Sequence, residues 1–300
     1  MKKEFLLYCF KKHFALAAKH PNLWNYRPIA SYLGRMKTFV LSQCQSDLVN
    51  LDGRTMSLPE NEFLHLMLFE HEGFVTKVVK NLVKKGNNVL VLGANIGYWT
   101  CLIAELVGES GKVFAFEPSP DNFKFLQKNV ELNDYKNIVL EQKAVADKSY
   151  QTKLYLSEGG SMDHRIYDTH TDRESVNIDV VKLDEYFSGN DIVFDFIKSD
   201  IQGADFAAVQ GMHSLLKKSL DVNFIIEFSP EKAKEYGSNP DDFIDNFVKL
   251  EYDFYELWWH ENKLIPISVG KLKEYAKNDI NTNLLCLKRK FDQKSFFKTL

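Results

Sequence analysis

The strongest constraint in this 300-residue chain is the apolar run Val89-Leu90-Val91-Leu92, which passes without a polar break into Gly93-Ala94-Asn95-Ile96-Gly97. A strand that is apolar on both faces belongs inside a parallel sheet covered by helices. The segment from Ile96 to Val107 reads as the helix that follows. Gly93 and Gly97 lack a Cβ, so the main chain can bend sharply and bring N–H groups at the helix start to a carboxylate or phosphate. The pattern is G-x-N-x-G. It differs from the G-x-G-x-x-G of a dinucleotide site, and the P-loop Gly-Lys-Ser/Thr is absent.

The same rhythm of strand and helix continues along the chain. Val113 to Phe116 is the next strand, Asp121 to Leu132 the next helix and Ile138 to Leu140 a third strand. Residues 152 to 182 interrupt it with two alternating segments, Lys153 to Leu156 and Val176 to Leu183, which read as an inserted hairpin with a long polar loop. A strand over Ile192 to Lys198, a helix from Ala204 to Leu216 and a strand at Phe224 to Ile226 resume the pattern. The helix Phe243 to Leu250 and the strands Phe254 to Trp258 and Leu284 to Leu287 complete it. Six or seven strands separated by helices predict an α/β fold with an open, doubly wound, mostly parallel sheet, whose ligand lies at the carboxyl ends of its strands.

Upstream, residues 1 to about 45 read as one or two helices broken at Tyr26-Arg27-Pro28, and Asp47 to Leu58 alternates around Asp52-Gly53 as a hairpin does. Glu62 to Lys85 carries apolar residues at helical spacing and closes on Lys84-Lys85-Gly86. The domain expectation is therefore a helical and hairpin extension over 1–60, a main domain over 61–290 containing the insertion 152–182, and a tail over 291–300.

Composition narrows the functional classes. Thirty-eight Lys and Arg against 41 Asp and Glu give a net charge of -3, which offers no global attraction to nucleic acid or an anionic membrane. Cys9, Cys44, Cys101 and Cys286 lie far apart without metal-ligand spacing, which suits a reducing compartment. The apolar run Phe5 to Phe10 stops after six residues at Lys11, and no stretch approaches the ~20 apolar residues of a membrane span. The expectation is a cytoplasmic protein without stable membrane insertion; its oligomeric state stays open.

Glu117 ends the second strand in Phe114-Ala115-Phe116-Glu117-Pro118, where a carboxylate can chelate a ribose diol. Together with the glycine turn, it suits an adenosine ligand whose other end carries a carboxylate. S-adenosylmethionine fits both ends.

With these residues the chain resembles the FkbM-type class I methyltransferases. The resemblance is carried by Gly93-Ala94-Asn95-Ile96-Gly97, by Phe116-Glu117-Pro118 with Asn133, by Lys198-Ser199-Asp200-Ile201-Gln202-Gly203-Ala204-Asp205, and by Ile225-Ile226-Glu227. These ordered blocks span roughly 60 to 230. The resemblance implies a seven-stranded, Rossmann-like class I methyltransferase sheet. It also implies methyl transfer from S-adenosylmethionine to a hydroxyl of a sugar, glycolipid or natural product. Glu72, Gly93, Ala94, Asn95, Gly97, Glu117, Pro118 and Asp200 then become candidate cofactor-binding residues. Val91 and Gln202 stand where the family usually has acids, which bears on cofactor affinity and on the methyl-transfer site.

Methyl transfer from a sulfonium is an in-line displacement, so alignment supplies much of the acceleration and a base need only take the hydroxyl proton. Asp200 is the first candidate base, with helix capping as its alternative role. His164 is the second, in a loop that also holds His170. Each histidine can equally be a solvated loop residue. Asp200, Asp205 and Glu227 could together hold a divalent ion, but spacing alone does not support a metal, and none is assigned. Asp205 is also a natural first-turn helix acid. Trp258-Trp259-His260 either packs in the core or offers a platform to a sugar ring.

Three other readings compete. One is N-methylation of an amino group on nucleic acid or protein, of which the nucleobase acceptor is disfavoured because Ser199-Asp200-Ile201-Gln202 stands where such enzymes carry Asn/Asp-Pro-Pro-Tyr. A catalytically weakened binding module draws on Val91 and Gln202. A nicotinamide-linked oxidoreductase is disfavoured by Asn95 and Tyr98.

Overall fold

The computed structural model describes residues 48–59, 73–157, 163–168, 172–258, 261–289, 291 and 296. By its internal contacts the chain divides into two units, 1–70 and 71–300. In the first, β1 (Leu48–Leu51) and β2 (Arg54–Ser57) pair antiparallel with Leu51 opposite Arg54. Asp52 and Gly53 have φ of 51° and 90°, the left-handed pair that a tight two-residue hairpin turn requires. The helices expected before residue 46 lie outside the described residues, as do residues 60–72 with Glu72.

The second unit is built on β3 (Asn88–Leu92), β4 (Lys112–Phe116), β5 (Ile138–Glu141), β9 (Phe196–Ser199), β10 (Asn223–Phe228), β11 (Tyr252–Trp258), β12 (Lys263–Ile267) and β13 (Thr282–Lys288). They form one sheet in the order β12-β11-β13-β10-β9-β3-β4-β5. The five strands from β10 to β5 run parallel, and β13 is antiparallel to both β10 and β11. The seven expected strands are present; β12 adds an eighth at the edge, antiparallel to β11. Pro266 within β12 has no N–H to donate, which suits an edge position and hides the strand from a reading by pattern.

The described helices are α1 (Gly73–Leu82), α2 (Tyr98–Val107), α3 (Pro120–Leu132), α4 (Leu183–Tyr186), α5 (Asp205–Gln210), α6 (His213–Lys218), α7 (Pro230–Tyr236), α8 (Pro240–Lys249) and α9 (Val269–Lys277). One sheet face, with Leu90, Leu92, Phe114, Phe116, Phe224, Ile226 and Phe228, packs against Phe206, Leu215, Phe243, Phe247 and Leu272 from α5, α6, α8 and α9. Phe206 and Phe243 stack with ring centroids 4.1 Å apart. On the other face α2 packs against β3 and β4. Asn137 closes its C-terminal end by donating to the carbonyls of Ala104 and Gly108, both at 2.9 Å.

The insertion is a separate three-stranded sheet in the order β6-β8-β7, made of β6 (Ala144–Ala146), β7 (Tyr150–Tyr155) and β8 (Ser175–Lys182). β7 and β8 are the antiparallel pair expected there; β6, parallel to β8, is too short to read from sequence. Ala144, Ala146, Leu154, Ile178 and Val180 bury its inner face against Ala204 and Ala207.

The single helix expected from Ala204 to Leu216 is two short ones interrupted at Gly211. A Cβ on Gly211 would lie 2.2 Å from the Ala146 carbonyl oxygen, so the close approach of β6 sets the break. The Asp184 carboxylate then accepts the N–H groups of Ser214 and Leu215, at 2.9 and 3.0 Å, and holds the start of α6. The strand expected from Ile192 begins only at Phe196, where ladder pairing to β3 and β10 starts. Trp258 ends β11 with 38% of its surface exposed, which corrects the core-packing alternative for that residue; Trp259 and His260 lie outside the described residues.

Replacing Gly211 with Ala is expected to lower unfolding free energy by about 2 kcal/mol, the usual cost of forcing atoms into a packed site. Urea denaturation measures it, and an unchanged midpoint would show that β6 yields freely.

Candidate functional site

Parallel strand order reverses between β3 and β9, which opens a crevice at their carboxyl ends. The turn after β3 sits in it. The N–H groups of Gly93 and Ala94 both donate to the Phe116 carbonyl, at 3.0 and 2.9 Å, folding the turn onto the end of β4. Gly93 has φ +76°, and a Cβ there would lie 2.1 Å from the Asp200 carbonyl oxygen. Asn95 is also left-handed, with φ 50°, a conformation Asn tolerates better than most residues. Gly97, at φ +96°, passes against Leu126 of α3, where a Cβ would meet the Leu126 Cδ1 at 2.8 Å.

Glu117 fixes this turn from the end of β4. Its Oε2 accepts the Asn95 N–H at 2.7 Å and its Oε1 accepts the Ser119 N–H at 2.9 Å, while the residue is only 4% exposed. Charge-assisted hydrogen bonds from two backbone groups hold the carboxylate rigid. Pro118 is half-buried beside it. Asn129, fully buried on α3, donates to the Ile96 carbonyl at 2.7 Å and supports the turn from below.

Asp200 follows β9 directly, its N–H donating to the Leu92 carbonyl at 3.0 Å. Its side chain is 41% exposed. It does not cap a helix: Oδ1 accepts the Gln202 side-chain amide at 2.8 Å, and α5 starts only at Asp205. The helix-start role falls to Asp205. That buried carboxyl accepts the Ser199 hydroxyl at 2.5 Å and the N–H groups of Ile201 and Gly203 at 3.3 Å, closing the loop between β9 and α5. Burial pushes its carboxyl up to about 6, and the nearby Asp200 charge adds to the rise against the hydrogen bonds.

Gln202, left-handed at φ 55°, bridges two charges. Its Nε2 meets Asp200 and its Oε1 accepts from Lys232 Nζ at 2.5 Å. Lys232 also reaches Glu227 Oε1 at 3.3 Å. Among the described residues Glu227 Oε2 is buried without a hydrogen-bond partner. Burial, with Asp200 adding to it, raises the Glu227 carboxyl well above the ordinary carboxylate range although Lys232 opposes the rise. Among the described residues no three His, Cys, Asp or Glu side chains converge on a point that could hold a metal ion.

His164 lies apart from Asp200, with no hydrogen bond or ion pair joining them. Its Nδ1 accepts the Ser157 N–H at 3.0 Å, and burial holds the imidazole below its ordinary value, hence neutral at pH 7. The segment carrying it is anchored: Asp163 binds Arg165 and Arg173 at 3.1 and 2.9 Å, and Arg165 binds Glu235 of α7 at 2.7 Å. The Tyr167 hydroxyl donates to the Gln202 carbonyl at 3.2 Å, tying the same segment to the β9 loop. His170 lies outside the described residues.

The structure thus brings Gly93, Ala94, Asn95, Gly97, Glu117 and Asp200 together at one crevice, and leaves His164 on its neighbouring loop. Sequence reasoning missed Lys232 and Glu141. Lys232 carries no motif signal. Glu141 ends the third parallel strand, as Glu117 ends the second, and that repetition was the available signal. Although burial opposes it, Lys143 and the Tyr186 hydroxyl at 2.7 and 2.6 Å hold the Glu141 carboxyl below its ordinary value.

A model of the methyltransferase FkbM domain matches residues 92–254, more than half of the chain. Protein-L-isoaspartate O-methyltransferases of Aeropyrum pernix and Methanothrix thermoacetophila are 39% identical over 54 residues and 36% over 56. Those matches span 18% and 19% of this chain, and only 21% and 27% of those relatives' length. Among solved structures, an rRNA methylase from Streptococcus thermophilus is similar with a TM-score of 0.40 and 11% identity, over 71% of this chain and 93% of that one.

The Asp205 carboxyl generates a pH prediction. Its value rises from 3.8 to about 6 on folding, so the native state binds the proton more tightly. Its contribution to stability is full below pH ~4 and is lost as pH rises through about 6, an effect on the order of 3 kcal/mol. Urea melts of the wild type and Asp205→Asn should show a stability difference that shifts against the wild type between pH 4.5 and 7. A pH-independent difference would refute the assignment.

Proposed function

The chain belongs to the FkbM methyltransferase domain family, and from that premise we propose that it moves a methyl group from S-adenosylmethionine to a hydroxyl of a saccharide, glycolipid or natural product. The observation carrying the reading is the buried Glu117 carboxylate locked onto the Asn95 N–H beneath the Gly93 turn. It supports a ribose-binding acid at a topological switch point, next to a backbone stripped of Cβ atoms where a ligand approaches.

Gly93, Ala94, Asn95 and Gly97 form the floor of the cofactor pocket, Glu117 and Pro118 its ribose side, and Asp200 its inner wall. Glu72 lies outside the described residues and is a cofactor-contact candidate by the family resemblance alone. When bound, the cofactor supplies a methyl group on a positively charged sulfur. The protein aligns the acceptor oxygen with it and removes the hydroxyl proton. Asp200, the more exposed carboxylate of the crevice, takes that proton. His164, on the adjoining loop, is the second candidate.

The acceptor is a small molecule or carbohydrate rather than nucleic acid, consistent with a net charge of -3. No helix among the described residues is long and apolar enough to cross a membrane. Cys286, a free and buried thiol, suits a reducing, cytoplasmic setting. A second reading, a binding module without turnover, draws on Gln202: its amide bridges Asp200 to Lys232, so this position adds no carboxylate to the crevice.

Transfer of labelled methyl groups to a panel of sugars tests the two readings. Asp200→Asn is expected to lower kcat by roughly 10²–10⁴-fold. Tight cofactor binding with no transfer to any acceptor by the wild type would favour the binding module.

A further inference from the structure

We propose that the Lys198 ammonium, between the end of β9 and the first turn of α2, binds the carboxylate at the methionine end of S-adenosylmethionine. The inference deepens the function proposed above and rests on it.

Lys198 is a buried cation with little to satisfy it. The residue is 7% exposed. Among the described residues its Nζ makes no hydrogen bond, and its ion partner, Asp200 Oδ2, stands at 3.7 Å, beyond hydrogen-bond distance. Asp200 is itself engaged by Gln202. Nζ lies 5.2 Å from the Trp99 ring centroid, a cation–π contact that stabilises the charge but accepts no N–H. Beside it in the sheet, Val91 of β3 is the direct Cα partner of Lys198 and presents an apolar side chain on the same face. An ammonium has three donors, and desolvating them unmet is costly.

A second positive feature lies alongside. Trp99 is the second residue of α2, whose ten residues begin at Tyr98 after Gly97 with no side-chain cap and no acid in the first turn. The dipole of that helix end favours an anion. Lys198 meets this helix end through Trp99, while its ion pair to Asp200, at 3.7 Å, leaves its N–H donors unmet among the described residues. In the ligand proposed for this crevice, the one anionic group is the amino-acid carboxylate. Binding it here directs the rest of the molecule across the Gly93 turn toward Glu117.

Calorimetry with S-adenosylhomocysteine and 5′-methylthioadenosine, which lacks the amino-acid end, isolates this contact. Lys198→Met should weaken S-adenosylhomocysteine by roughly tenfold to a hundredfold, as expected for losing a charge-assisted hydrogen bond, and leave methylthioadenosine unchanged. Lys198→Arg should recover most of the loss. Lys198→Gln serves if the methionine variant fails to fold. Equal affinity of the neutral variant and the wild type for S-adenosylhomocysteine, or parallel loss of both ligands by a folded variant, overturns the inference while leaving the cofactor reading intact. If the wild type binds neither ligand, the cofactor reading itself fails and the inference falls with it.

Discussion

The approach of one backbone to another governs this molecule. At Gly93 the main chain leaving β3 passes so close to the Asp200 carbonyl that no side chain fits between them. Because that contact joins the two strands at which the sheet order reverses, it sets the width of the crevice. The neighbouring features follow from it. The left-handed turn needs its N–H groups satisfied, and Phe116 and Glu117 at the end of β4 satisfy them. The same hydrogen bonds immobilise Glu117, so the acid is oriented before any ligand arrives.

Across the crevice the electrostatics are arranged differently. Asp205 and Glu227 are buried and have raised values, whereas Asp200 stays partly exposed at the surface of the site. Lys198 and Lys232 are the cations among them, and Gln202 links Asp200 to Lys232 as a neutral spacer. Carboxyls of one type are thereby distinguished by environment alone. Asp205 organises a loop through hydrogen bonds to backbone N–H groups. Asp200 keeps 41% of its side chain exposed.

Much of this was legible in the residues. The β3 run, the glycine turn and Glu117 were readable because a buried parallel strand, a Cβ-free bend and a strand-end carboxylate each leave a local signature. The hairpin at Asp52-Gly53 was readable for the same reason. What escaped depends on contacts distant in sequence. The break at Gly211 is caused by β6, about 65 positions earlier, and β6 itself has three residues. Asp200 does not cap α5 because the loop between them curls through left-handed Gln202 and Gly203, which no periodicity announces. Lys198 stood inside a recognised motif, yet its lack of a hydrogen-bond partner became visible only from the register that sets Val91 beside it.

The central claim is that the crevice between β3 and β9 is an S-adenosylmethionine site built around Glu117. Calorimetric titration with S-adenosylmethionine and S-adenosylhomocysteine, beside NADH and ATP, tests it most directly. Saturable binding of both sulfur ligands, absent in folded Glu117→Ala and not shared by NADH or ATP, is the expected result. Failure of both sulfur ligands to bind the folded wild type at millimolar concentration, or undiminished binding by Glu117→Ala, would contradict it.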